Sequence, residues 1–257
     1  MIDIHCHILP YLDDGPQIMD DALQLAALAV DQGIKKIIAT PHTQNGEYSI
    51  SVAHVKETVD VFNQELAKHQ IPLIVSPGHE VRVTSQFETD LLQGKYLFLD
   101  DKQKYILIEF SSSFVPSYAS QLIHNLAYDG IVPVIAHPER NAIFHKNPNL
   151  LFELVENGAL TQITANSVMG KFGSKIQKYA YKLLKNNLTH CIASDAHNTK
   201  NRVFCLKEAH QEIEKRFGSK MNAYLLENSY SISTGEDIQK RTPTYIKSRF
   251  FPFQFKK

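Results

Sequence analysis

Cysteine is scarce in this chain, and neither sign of charge is in excess. Three cysteines, Cys6, Cys191 and Cys205, cannot all pair, which argues against a disulfide-stapled secreted scaffold and suits a reducing compartment. Lys+Arg and Asp+Glu both number 27, so no global field draws the molecule to nucleic acid. No apolar run approaches the ~20 residues of a transmembrane helix. The first residues enter a strand pattern without the basic segment, apolar stretch and cleavage site of a secretory leader, so the cytoplasm is the expected location. Low-complexity segments and sequence repeats are also missing. What remains is an ordinary soluble composition, 43% hydrophobic and 21% charged. Its 257 residues suffice for one large α/β domain or two small ones.

A repeated pattern of elements is present. Short β-rich runs recur at Ile2–Cys6, Lys36–Thr40, Leu73–Ser76, Tyr105–Phe110, Val132–Ala136, Leu160–Thr164 and His190–Ser194. Helical spacing is expected over Ile18–Gln32, Val52–His69, Ser117–Asp129, Asn147–Asn157, Ser174–Asn186 and Val203–Phe217, with Gly33, Gly130 and Gly158 as stops. Val83–Asp101 is the least regular stretch and reads as a loop with a short helix. Near-continuous apolar strands alternating with helices argue for a parallel sheet, either open and doubly wound or closed into a barrel. In both, ligands gather at the carboxyl ends of the strands.

Those ends are rich in ligand-type side chains. The opening MIDIHCHILPYLDDG carries His5 and His7 on one side of a strand, followed by Asp13 and Asp14. IIATPH ends at His42, LIVSPGHE at Glu80, and ILIEF places Glu109 late. VIAHPER delivers His137, Glu139 and Arg140; TQITANS ends near Asn166; HCIASDAH delivers Asp195 and His197. Taken singly, each is a common hydrogen-bonding loop residue. Their convergence on one rim is what points to cation binding. His54, His69, His124, His145 and His210 fall on helices or loops without such a pattern, His190 reads as structural, and His79 is turned away by alternation. Imidazole and carboxylate without thiolate suit manganese, iron or zinc, and bridging carboxylates imply two or three ions. Such multinuclear sites suit phosphoester hydrolysis. Arg140 and Arg202 offer guanidinium forks for phosphate oxygens.

The set of HxH, TPH, a Glu after the third strand, a late Glu in the fourth, HPER and SDAHN resembles the PHP phosphoesterases over Asp3 to about Arg202. The wording MIDIHCHILP–DDG, IIATPH, IAHPER and ASDAHN is similar to bacterial manganese-dependent tyrosine phosphatases of the CpsB/CapC/YwqE type. That resemblance implies a distorted TIM-like (β/α)7 barrel over residues 1–238, followed by a basic aromatic tail at 239–257. It implies up to three ions, manganese first and iron or zinc as alternatives. One would be held by His5, His7, Glu80 and Asp195, a second by Glu80, Glu109 and His137, and a third by Asp14, His42 and His197. Asp14 is preferred over Asp13 because it directly precedes Gly15. Arg140 and Arg202 would hold phosphate, and His42 is a further candidate proton donor to the leaving group. The implied partner is a phosphorylated bacterial tyrosine kinase controlling capsule or exopolysaccharide synthesis.

Competing readings are a small-molecule phosphatase with a histidinol-phosphate-like substrate and a noncatalytic phosphotyrosine-binding module. A nuclease or other nucleic-acid role is disfavoured by the balanced charge. A cysteine-nucleophile mechanism needs an arginine six positions after the cysteine, and Leu12, His197 and Gln211 stand there instead. From Lys240 the tail is basic, with Phe250, Phe251, Phe253 and Phe255 interleaved. It is expected either to pack on the domain or another subunit, or to touch an anionic membrane surface.

Overall fold

Each of the seven apolar runs forms a strand, and every pairing between strands is parallel. The computed structural model describes residues 1–246. The second and third runs are each broken in two. The strands are β1 (Ile2–Cys6), β2 (Lys36–Ala39), β3 (His42–Thr43), β4 (Ile74–Pro77), β5 (Glu80–Arg82), β6 (Tyr105–Glu109), β7 (Val132–Ala136), β8 (Leu160–Thr164) and β9 (Cys191–Ala193). The breaks follow from Pro41, which has no N–H for a ladder, and from Pro77–Gly78. At the first break the Thr40 hydroxyl replaces a backbone group by accepting from Cys6 N at 3.1 Å.

The consequence is two sheets, ordered β1-β2-β4 and β3-β5-β6-β7-β8-β9. Further bonds link them. Gly78 N donates to Ala39 O at 2.8 Å and Glu80 N to Pro41 O at 3.1 Å. At the other edge, Asp195 N donates to His5 O and His7 N to Ala196 O, both at 2.9 Å. Asp3, fully buried, adds a side-chain clasp to the same seam, since its carboxylate accepts from the backbone and hydroxyl of Ser194.

Alternation assigns the strand residues to two apolar clusters. Ile4, Ile38, Leu107, Val134, Leu160 and Ala193 share one face. Ile37, Ile106, Ile108, Ile135, Ile163 and Ile192 share the other with the helices. These helices are α1 (Met19–Asp31), α2 (Val52–Lys68), α3 (Phe87–Leu92), α4 (Ala119–Tyr128), α5 (Ala142–Lys146), α6 (Pro148–Glu156), α7 (Ala165–Val168), α8 (Ser174–Lys185), α9 (Leu206–Phe217) and α10 (Ser219–Thr234). Local chemistry sets several boundaries: the Ser51 hydroxyl accepts from His54 N to start α2, and Gly33, at φ 79°, follows α1.

Three elements lie outside the expectations from periodicity. Helices α5 and α7 are too short to show a period. Helix α10 buries Asn228, Ser229 and Ser233 beside Leu225 and Ile232, so its inner face does not read as apolar. The helix expected from Val203 begins only at Leu206, because the preceding loop folds back through His197 N to Arg202 O at 2.9 Å. The described part of the tail lies along the domain: Thr244 N donates to Asn186 O at 2.9 Å, Tyr245 stacks on Phe152, and Ile246 is buried. Residues 247–257, with the four phenylalanines, lie outside the described residues.

Gly78 sits where the sheets meet. A Cβ there would come within 2.8 Å of Ile38 Cγ2 and 3.1 Å of Thr40 Cγ2. Gly78→Ala should lower stability by roughly 1–3 kcal/mol through overpacking, read as a lower urea midpoint at unchanged denaturant dependence. An unchanged midpoint would show that the seam between the sheets yields freely.

Candidate metal centre

The inner face of the strands is apolar at its start and polar at its carboxyl end. Following one face, Tyr105 and Leu107 lead to Glu109, Leu160 leads to Gln162, and Cys191 and Ala193 lead to Asp195. An extra residue in β1 between Asp3 and Cys6, the interval that contains His5, shifts its register. Two residues at the rim hold left-handed backbone rarely adopted outside glycine, His137 at φ 32° and Asp195 at φ 51°.

Glu80 occupies the middle of the rim and is buried. Its Oε1 lies 2.8 Å from His137 Nε2 and 3.5 Å from His5 Nε2. Its Oε2 lies 2.8 Å from His42 Nδ1 and 3.4 Å from His7 Nε2. Asp195 Oδ1 is 3.5 Å from Nε2 of both His5 and His7. On the outer side, Asp14 Oδ1 is 3.2 Å from His197 Nε2 and 3.6 Å from His42 Nε2. Glu109 Oε1 lies 3.9 Å from His137 Nε2. Three sets of donor atoms fall within 4.8 Å of one another: His7, Asp14, His42 and His197; His5, His7 and Glu80; and His42, Glu80 and Glu109.

The tautomers follow from the partners. His7 Nδ1 donates to Asp13 Oδ2 at 2.6 Å, His5 Nδ1 to Gln162 Oε1 at 2.8 Å, and His197 Nδ1 to the Asp195 carbonyl at 3.1 Å. The Gln162 amide is itself oriented by donating its Nε2 to Ile163 O. Each acceptor fixes a hydrogen on Nδ1 and turns a lone pair on Nε2 toward the centre, the arrangement that supports metal-binding imidazoles. His5 Nε2 and His7 Nε2 then face each other at 3.2 Å. Two lone pairs at that distance repel unless a cation or proton lies between them. His42 Nδ1, Glu80 Oε2 and His197 Nε2 are buried without a hydrogen-bond partner, although each has a counter-group nearby. They are close but misaligned for hydrogen bonds, which fits donors aimed at a common ion.

Electrostatics agrees with the geometry. Burial pushes the Glu80 carboxyl up, yet His5 and His42 outweigh it and hold it well below the usual range. Asp195 is likewise held low, against burial, by His5, Arg202 and Arg140. Burial and the neighbouring His7 lower His197 to about 4. For His7, burial is outweighed by Asp13 and Glu80, and the ring titrates well above its ordinary value.

Arg140 Nη1 donates to Asp195 Oδ2, and Arg202 Nη2 donates to both Asp195 oxygens at 2.9 and 2.8 Å. Both side chains remain partly exposed at the open side. Phe172 packs over the Arg140 guanidinium, 5.2 Å from ring centroid to Cζ.

All nine residues expected as ligands therefore lie in one cluster, with the two arginines at its edge. Asn166 and Glu139 lie elsewhere in the hydrogen-bond network: Asn166 binds Val203 O and the Cys205 thiol, and Glu139 accepts from Thr164. His79 turns to Leu97 N, and His190 accepts from Thr161 N. Sequence reasoning missed Gln162 and Arg82. Gln162 was legible as a polar residue at an inner position of an apolar strand. Arg82, whose guanidinium binds Glu109 Oε2 at 2.9 and 2.6 Å, had no such signal, because its partner is 27 residues away.

The chain is similar over nearly all its length to known proteins. The tyrosine-protein phosphatase YwqE of Bacillus subtilis (strain 168) is 47% identical over 249 residues, covering 97% of this chain and 98% of that protein. The tyrosine-protein phosphatase CpsB of Streptococcus pneumoniae is 32% identical over 226 residues, covering 86% and 92%. A solved structure from work on YwqE and CpsB, described as unique metal-dependent tyrosine phosphatases, superposes with a TM-score of 0.94 at 46% identity, covering 96% of this chain and all of that one. Histidinol phosphate phosphatase from Lactococcus lactis shares the fold at a TM-score of 0.54 and 13% identity, covering 86% and 92%. The family model for capsular polysaccharide synthesis, CpsB/CapC, matches residues 1–233, and the chain belongs to that family.

Proposed function

We propose that this protein is a metal-dependent protein-tyrosine phosphatase acting on a phosphorylated bacterial tyrosine kinase that controls capsule or exopolysaccharide synthesis. The observation that carries the reading is the buried, inward-facing set of imidazole and carboxylate donors with two guanidinium groups at its open side. The family and its metal-dependent relatives support the same chemistry. We read the two sheets as one distorted barrel of the PHP type, supported by the hydrogen bonds joining the ends of β1 and β9. A cytoplasmic location accords with three buried free thiols. Among the described residues no helix is long and apolar enough to cross a membrane.

In this reading His5, His7, Glu80 and Asp195 hold one ion, and Glu80, Glu109 and His137 a second. Asp14, His42 and His197 hold a third. Manganese is proposed, and iron or zinc would suit the same donors. Asp14 is favoured over Asp13 because Asp13 is buried and already accepts from His7 Nδ1, Gly15 N and His42 N. When bound, such ions supply a nucleophile from water at neutral pH and neutralise phosphoryl charge. Arg140 and Arg202 orient the phosphoryl oxygens with donors left over from Asp195, Arg202 Nε among them. Asp195 holds both guanidiniums on one side, so the leaving phenolate departs toward the open rim. His42 has a carboxylate near each ring nitrogen, which favours holding an ion over protonating the leaving group. The basic aromatic tail, residues 239–257, is proposed to touch an anionic membrane surface.

Three outcomes are expected. His5→Ala, Glu80→Ala and Asp195→Ala should each lose bound metal and phosphotyrosine-peptide turnover while remaining folded by circular dichroism. Full activity of Glu80→Ala at unchanged metal content would remove the bridging assignment. Arg140→Ala and Arg202→Ala should keep their metal and lose about one to two orders of magnitude in kcat/KM, as a charge-assisted contact of about 1.5–3 kcal/mol predicts, and lysine should not restore it fully. Replacing Cys6, Cys191 and Cys205 together should preserve most activity in a folded variant, whereas a chelator should abolish it; a phosphocysteine intermediate would overturn the mechanism.

A further inference from the structure

Two aromatic side chains rest directly on residues of the site, Phe172 on Arg140 and Tyr48 on His42. Among the described residues neither packs against the two apolar clusters, so the core does not account for them. Phe172 already has the Arg140 guanidinium over its face. The Tyr48 ring is parallel to His42, at 10° between planes, but the centroids are 6.2 Å apart. That is near the far end of stacking contact, so the two rings overlap only slightly, whether they are offset or spaced apart. Most of the tyrosine face is left without an aromatic partner. The loop holds Tyr48 in place with its own polar groups. Thr43 and Ser49 pair as an antiparallel bridge, and the Gln44 amide donates to the Ser49 hydroxyl at 3.3 Å. Between them Asn45 Oδ1 accepts from Glu47 N at 3.0 Å and from Tyr48 N at 2.7 Å, an Asx-type turn.

We propose that the Tyr48 ring is the aromatic wall of the leaving-group site, stacking on the phenyl ring of the substrate and selecting aryl over alkyl phosphates. The proposal rests on the phosphatase reading above and adds a specificity-determining residue to it. With phosphoryl oxygens on Arg140 and Arg202, the ring of the substrate can turn toward Arg140 or toward His42. On the Arg140 side, the pocket among Glu109, Ser112, His137 and Arg140 encloses only about 30 Å³. That is room for roughly two waters, well short of the ~150 Å³ of a cavity that takes up benzene. On the His42 side stands the free tyrosine face, beside a ligand-type residue that belongs to two of the donor sets. Burial, Glu47 and the nearby carboxylates of Asp14 and Asp13 push the Tyr48 phenol up, so the ring stays uncharged where a phosphate dianion must pass. A serine or threonine phosphate offers no ring to this face and gains nothing from it.

The test uses the manganese-loaded full chain and two unreactive ligands, phenylphosphonate and methylphosphonate, titrated by calorimetry alongside phosphotyrosine-peptide turnover. Tyr48→Ala should weaken phenylphosphonate about tenfold and raise KM for the peptide by a similar factor, with bound metal and methylphosphonate affinity unchanged. Tyr48→Phe should restore both and Tyr48→Leu only part, because stacking uses the face of the ring and not the hydroxyl. Equal weakening of both phosphonates would overturn the proposal and assign Tyr48 to holding His42. No loss with either ligand would overturn it as well. So would a Tyr48→Phe variant as impaired as Tyr48→Ala, which would give the role to the hydroxyl. A wild-type chain inactive on the peptide would refute the phosphatase reading itself, while the two phosphonates would still decide whether Tyr48 binds a ring.

Discussion

The arrangement of this protein depends on one buried carboxylate. Glu80 lies between four imidazoles, those of His5, His7, His42 and His137, with every contact at 3.5 Å or less. An ionised group so far from water is strongly unfavourable unless compensating charge is placed around it. The compensation comes from β1 and the residue just beyond it, from β3, and from the turn after β7, so strand order, register and the left-handed turn at His137 must all be correct together. The same requirement explains the break at Pro41 and Gly78. It lets the second and third strands change direction so that His42 and Glu80 pair side by side in β3 and β5.

Around that centre the histidines are held by acceptors that have no role in packing the apolar core. Asp13, Gln162 and the Asp195 carbonyl each take one Nδ1 hydrogen. Asp13 also accepts from Gly15 N and His42 N, tying the loops after β1 and β2 to one geometry. There is no room for a side chain at position 15, where a Cβ would lie 2.3 Å from His7 O. This rigidity is what a metal site needs, since donors misplaced by an ångström lose both affinity and selectivity.

The open side of the cluster has a different character. Arg140 and Arg202 share Asp195, Phe172 covers one guanidinium, and Tyr48 lies parallel to His42 with ring centroids 6.2 Å apart. Guanidinium and aromatic surface together suit an aryl phosphate, whose charge lies deep and whose ring lies outward.

By itself the sequence determined the strand positions, the parallel α/β class and the residues that converge on the rim. Short apolar runs and HxH, TPH, HPER and SDAHN are local patterns, and alternation carries a local pattern to one face of a sheet. Family membership was legible for the same reason. Only the tertiary structure decided the division of labour between adjacent residues. Asp13 and Asp14 are indistinguishable by type, and what separates them is burial of one against His7 and exposure of the other toward His42 and His197. Arg82 and the polar inner face of α10 were equally hidden, because their roles come from partners 27 and 38 residues away. Such pairings arise from the path of the chain in space, and no spacing along it encodes them.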